Sequence, residues 1–108
     1  MPRWLPAVLT RVGEFAETRQ ILFTLKARRE LAALELGLDE EDARSLLASL
    51  TSEDSAGRVA SAATGEWMYV FKLSLAGMVL YVKLILRTEC IVVSFHEDER
   101  AGHEDEDA

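Results

Sequence analysis

The chain has 108 residues, 49% apolar and 29% charged, with a formal net charge of −7. That length and composition suit one globular domain with one core. No apolar run approaches the ~20 residues of a membrane span. The opening MPRWLPAVLTRVGEF is too interrupted by Pro, Arg and Gly for a signal peptide, so a reducing cytoplasm is the expected compartment. A single cysteine, Cys90, excludes an internal disulfide and a cysteine-rich metal site.

The charge is unevenly spread. Residues 97–108 (EDERAGHEDEDA) hold seven acids and one Arg, a charge of −6, which leaves residues 1–96 at about −1. The expected organisation is one domain over 1–96 and an acidic tail over 97–108, too poor in apolar residues to fold. Such a tail either solubilises the domain or competes with an anionic ligand for a basic groove.

In chain order, Trp4–Ala16 reads as a helix, with Pro6 in the first turn and Leu5, Val8, Leu9, Val12 and Phe15 at three- and four-residue spacing. Ile21–Thr24 is a short apolar strand of the same sheet. Thr24 then caps a helix reaching about Leu36, with Ala27, Leu31 and Leu34 inward, Lys26, Arg28 and Arg29 outward, and Gly37 at the stop position. Asp39 caps the next helix, whose stripe is Ala43, Leu46, Leu47 and Leu50 and whose acidic first turn suits the helix dipole. Thr51–Glu66, rich in Ser, Ala, Gly and Thr, reads as a long loop.

Three β-runs follow in Trp67–His96. Along Val79–Arg87, Leu80, Val82, Leu84 and Leu86 fall on one face, and Val79, Tyr81, Lys83, Ile85 and Arg87 on the other. Trp67, Tyr69 and Phe71 share the core parity of their strand, and Met68 and Lys72 the opposite one. A two-residue loop at Thr88-Glu89 opposes Arg87 to Cys90, Ile85 to Val92, Lys83 to Ser94 and Tyr81 to His96. It also opposes Val82 to Phe95, Leu84 to Val93 and Leu86 to Ile91. The predicted fold is therefore α+β: a small, mostly antiparallel sheet with helices packed on its apolar face.

The polar face collects the only convergent chemistry. Its candidates for catalysis are His96, a natural proton donor or acceptor near neutral pH, Tyr81, Lys83 and, from the loop, Arg58. Arg87, Lys72, Met68 and Ser94 are the candidates for holding a substrate, with Arg offering a bidentate fork to phosphate. The competing reading of each is an ordinary solvated side chain.

The helix followed by LFT, the LELGLD junction at 34–39, LTSED at 50–54, Trp67, LYVK at 80–83 and VVSF at 92–95 occur here in sequence. In this order and spacing the chain resembles the motility quorum-sensing regulator (MqsR) toxins over about Val8–Glu97. The resemblance implies a RelE-like fold and a type II toxin that cleaves mRNA as an endoribonuclease, without a metal or other cofactor. It also implies a cognate antitoxin as partner and mRNA as substrate; separately, the near-neutral charge of residues 1–96 makes the ribosome a candidate source of additional affinity for RNA. Tyr81 matches the family's tyrosine. His96 stands where the family has lysine after SF, and Met68 where it has glutamine. DSAGRV at 54–59 replaces the family's loop motif, leaving Arg58 as the nearest base. The alternative is a catalytically inactive member that binds an antitoxin or serves as a regulatory module.

Overall fold

The computed structural model describes residues 1–98. The elements are α1 (Leu5–Glu17), β1 (Ile21–Phe23), α2 (Leu25–Ala33), α3 (Glu40–Ala48), a 3-10 turn (Ser52–Asp54), β2 (Ser55–Ala60), β3 (Trp67–Leu75), β4 (Met78–Leu86) and β5 (Cys90–Glu97). Five strands form one sheet in the order β1-β5-β4-β3-β2, with β1 parallel to β5 and every other pair antiparallel. The helices cover one face, which makes the fold α+β.

Local chemistry accounts for the helix limits. The Thr24 side chain accepts the Ala27 N–H at 3.1 Å and starts α2. Asp39 and Asp42 form a reciprocal capping box at the start of α3. Gly37, at φ 71°, lies in the left-handed region past the end of α2. The helix stops at Ala33, earlier than its apolar spacing suggests, and Glu35 also takes a positive φ.

The core joins Val8 and Val12 of α1, Ala27 and Leu31 of α2, and Ala43 and Leu47 of α3 to Phe71, Leu80, Val82, Leu84, Val92 and Phe95 of the sheet. Hydrophobic burial of these facing rows is the main force holding the two layers together. Arg44 of α3 donates to the Ala16 carbonyl at the end of α1 and pairs with Glu41, tying the helices to each other.

Three expectations need correction. First, the segment read as a loop, Thr51–Glu66, contains the 3-10 turn and the whole of β2. SAGRVA lacks strand propensity, but β3 supplies a partner for it, and an irregularity between Ser55 and Arg58 absorbs Gly57 at φ 97°.

Second, the β4–β5 loop has three residues, because Leu86 pairs with Cys90. Arg87 N–H closes it by donating to the Glu89 carbonyl at 2.9 Å. The odd loop shifts the register by one, so Ile85 opposes Ile91 and Leu84 opposes Val92. Val93 is then an extra residue between the Leu84–Val92 and Lys83–Ser94 pairs, a bulge that restores the expected pairs Lys83–Ser94, Val82–Phe95 and Tyr81–His96. Cys90 and Val92 consequently enter the core, both 0% exposed, in place of Ile91 and Val93.

Third, β5 runs through Glu97, and Asp98, expected in the tail, is 6% exposed and donates its N–H to the Val79 carbonyl. From residue 99 onward the acidic tail lies outside the described residues. Among the described residues, no helix is long and apolar enough to cross a membrane.

Candidate functional site

Because β1 ends at Phe23, the edge of β5 beyond Val92 has no strand beside it. Helix α2 takes that place with its side chains. Lys26 Nζ donates to the Val93 carbonyl at 3.3 Å, and Glu30 Oε1 accepts the Phe95 N–H at 3.1 Å. Covering a sheet edge in this way satisfies backbone groups that would otherwise need water. It also carries Lys26 round the edge of the sheet, where Nζ lies 3.0 Å from Ser94 Oγ and 3.0 Å from Glu30 Oε2.

A cleft of about 480 Å3 opens at this point, lined by Lys26, Lys72, Tyr81, Lys83, Ser94, His96 and Asp98. Three strands and one helix contribute to it. Lys72 and Tyr81 are cross-strand partners on β3 and β4, while His96 faces Tyr81 from β5. The Tyr81 and His96 rings stack with centroids 5.1 Å apart and planes 14° from parallel, and Lys83 Nζ is 6.0 Å from the Tyr81 ring centre. Three ammonium groups thus stand against one lining carboxylate, Asp98, which holds Lys72 Nζ at 3.0 Å.

His96 has a defined tautomer. Its Nδ1 is 2.7 Å from the Glu97 carbonyl oxygen, which can only accept, so Nδ1 carries the proton in the neutral ring. Nε2 is left with the lone pair. The cleft therefore offers a proton acceptor, a phenolic hydroxyl and a cluster of cations, the components for handling a phosphodiester.

Of the eight side chains singled out by sequence, the cleft unites five: Tyr81, Lys83, His96, Lys72 and Ser94. The other three lie elsewhere. Arg58 is on the helix-side face of β2, paired with Tyr69, and its guanidinium sits 3.9 Å from the Trp67 ring centre and 4.9 Å from that of Trp4. A cation between two indoles is held by their electron-rich faces. Arg87 belongs to the β4–β5 loop and makes a two-pronged pair with Glu66, at 2.8 and 2.6 Å. That hydrogen bond, reinforced by Thr64, holds the Glu66 carboxyl down at about 2, and Glu66 in turn raises Arg87. Met68 is on the open face but opposite Val59, outside the cleft lining. Leu22, Ile91 and Ile85 form an apolar row across that same face.

Sequence reasoning missed two lining residues, Lys26 and Asp98. The first reads as one of several basic residues on an amphipathic helix, and only the α2–β5 contact singles it out. Asp98 has the composition of the tail and the position of a strand extension. Cys90 is not part of the site: burial pushes its thiol up to about 12, Arg11 offsetting this slightly, so it stays protonated. Among the described residues no group of three or more His, Cys, Asp or Glu side chains is placed to hold a metal ion.

The sequence model of the family described as "Motility quorum-sensing regulator, toxin of MqsA" matches residues 7–97. The chain belongs to the MqsR toxin family. It is thus a toxin of a toxin–antitoxin system, and an antitoxin protein is its partner. No curated protein matches the chain significantly. Within the MqsR match fall all seven lining residues except Asp98, which follows its last position directly.

Proposed function

We propose that this MqsR-family toxin is a metal-independent endoribonuclease that cleaves mRNA in the cytoplasm and so arrests growth. The observation that carries the reading is the convergence of Lys26, Lys72 and Lys83 on the stacked Tyr81–His96 pair in one cleft.

Cleavage of an RNA strand by its own 2′-hydroxyl needs a base, a counter-charge and an acid. His96 Nε2 takes the 2′-OH proton, since the Glu97 carbonyl keeps the other ring nitrogen protonated. The 2′ oxygen then bonds to phosphorus, with Lys83 and Lys26 holding the non-bridging oxygens as their charge grows. The bond from phosphorus to the 5′ oxygen breaks, and the Tyr81 hydroxyl gives that oxygen its proton. The products are a 2′,3′-cyclic phosphate and a 5′-hydroxyl. Lys72 is held by Asp98 and steers the strand, and Ser94 Oγ holds Lys26 in position. With about −1 net charge over residues 1–96, the domain has little electrostatic reach for RNA, and the ribosome can supply the remaining affinity.

The second reading, an inactive member that only binds its antitoxin, draws on one observation: Met68, at one of the family's positions, and Arg58, the base nearest to another, stand outside the cleft. Induced expression separates the two. Wild type should arrest growth with loss of mRNA, and folded His96→Ala should not. Folded wild type that leaves growth and mRNA untouched would favour the binding module.

A further inference from the structure

His96 borders a second cavity, of about 490 Å3, whose other walls are Glu30, Ala33, Leu34, Met78 and Glu97. That volume is within the ~300–1,000 Å3 of small-ligand sites. The two cavities meet at one imidazole and have opposite character. On one side three ammonium groups line the wall; on the other there are two carboxylates and three apolar side chains. A phosphate belongs to the first and is repelled from the second.

We infer that the second cavity is a nucleobase subsite, which receives the base of the nucleotide whose 2′-hydroxyl attacks, and that it favours bases bearing an exocyclic amine over uracil. This rests on the ribonuclease reading. The geometry of a ribonucleotide supports it. The 2′-carbon lies between the carbon bearing the base and the carbon bearing the scissile phosphate. A group that takes the 2′-proton while the phosphate sits on one side must have the base on the other. His96 has the lysine cleft on one side and this cavity on the other.

The walls suit a base and define which one. Leu34, Ala33 and Met78 give an apolar surface for a planar ring, and thioether sulfur packs well on aromatic rings. Carboxylates accept hydrogen bonds and cannot donate them. Glu30 is partly engaged with Phe95 N–H and Lys26, whereas Glu97 is exposed at the rim and is the principal acceptor. Adenine, cytosine and guanine present an amine to it. Uracil has no amine there and offers only its N3–H, flanked on both sides by carbonyl oxygens that a carboxylate repels.

The test is to cut a random-sequence RNA and sequence the product ends, reading the base on the 2′-hydroxyl side of each break, for wild type and Glu97→Gln. The substitution keeps the backbone carbonyl that holds His96, and its amide can serve either kind of base. Uridine should be depleted at that position about tenfold relative to the input, the scale of one lost polar contact. Glu97→Gln should shrink the depletion to about threefold or less, read as a ratio of product ends so that it does not depend on the total amount of cleavage. Uridine at its input frequency, or the same depletion in Glu97→Gln, overturns the subsite. No cleavage at all by folded wild type overturns the ribonuclease reading, and the subsite with it.

Discussion

Tyr81 and His96 oppose each other on β4 and β5 and stack with their rings 5.1 Å apart and 14° from parallel. A directly opposed pair on adjacent antiparallel strands has little freedom to separate, so the phenol holds the imidazole plane while the Glu97 carbonyl holds its tautomer. Removing the ring and removing the hydroxyl should therefore act differently. His96→Ala should cost about 100- to 10,000-fold in the rate of RNA cleavage, the usual scale of a lost proton-transfer group. Tyr81→Phe should retain the stack and lose about 100-fold through the missing proton donor. An unchanged rate in Tyr81→Phe assigns the protonation of the 5′ oxygen to another group.

RNA binding should depend on salt in proportion to the cleft's cations. With about three lysine–phosphate contacts, the logarithm of affinity for a non-cleavable single strand should fall with a slope near −2 against the logarithm of salt concentration. Lys26→Met, Lys72→Met and Lys83→Met should each flatten that slope by about 0.7. Fluorescence anisotropy across a KCl series measures it, and a slope indifferent to all three substitutions would remove the cleft from RNA binding.

Asp98→Asn should tighten the same binding by roughly 3- to 10-fold, because it releases Lys72 from its 3.0 Å pair. Equal or weaker binding by a variant with unchanged thermal stability would show that the carboxylate does not compete with RNA.

The Glu66–Arg87 pair closes the two hairpins against each other and has a pH signature. Its carboxyl is lowered from 4.5 to about 2, first by the Arg87 hydrogen bond and then by Thr64. A depressed carboxylate contributes stability that is complete above its unfolded value and disappears as pH falls through its folded value. Thermal unfolding between pH 5 and about 2 should thus be less steep in Glu66→Gln than in wild type. Because Arg87 lies outside the cleft, the variant should bind RNA as wild type does.

The edge of β5 offers a stability test independent of RNA. Glu30→Ala leaves the Phe95 N–H without its acceptor, at a cost of about 1–3 kcal/mol. Glu30→Gln retains an acceptor and should cost less than half of that. Urea unfolding of both distinguishes edge capping from simple loss of charge.

The alternation of Leu80, Val82, Leu84 and Leu86 with Tyr81, Lys83 and Ile85 was enough to separate the core face of β4 from its open face, and the caps at Thr24 and Asp39 marked two helix starts. The Tyr81–His96 and Lys83–Ser94 pairs were also legible, since a one-residue slip at those positions would bury polar groups. β2 was not legible, because SAGRVA becomes a strand only through its pairing with β3. Arg58 was drawn to the site by its charge and its place in the segment that replaces the family's loop motif, and the cation–π clamp of Trp4 and Trp67 depends on residues far apart in sequence.

Local periodicity and capping thus determined the faces of the sheet, the helix starts and most of the polar face, because these depend on contacts between near neighbours along the chain. Tertiary structure decided which further polar residues join the Tyr81–His96 and Lys83–Ser94 pairs and which do not. The parallel β1–β5 pair that brings α2 against the sheet edge and the ion pair drawing Arg87 to Glu66 join segments distant in sequence, and the Val93 bulge lets both ends of β5 satisfy the sheet at once. Such contacts are selected by global packing and hydrogen-bond satisfaction, and no local pattern encodes them.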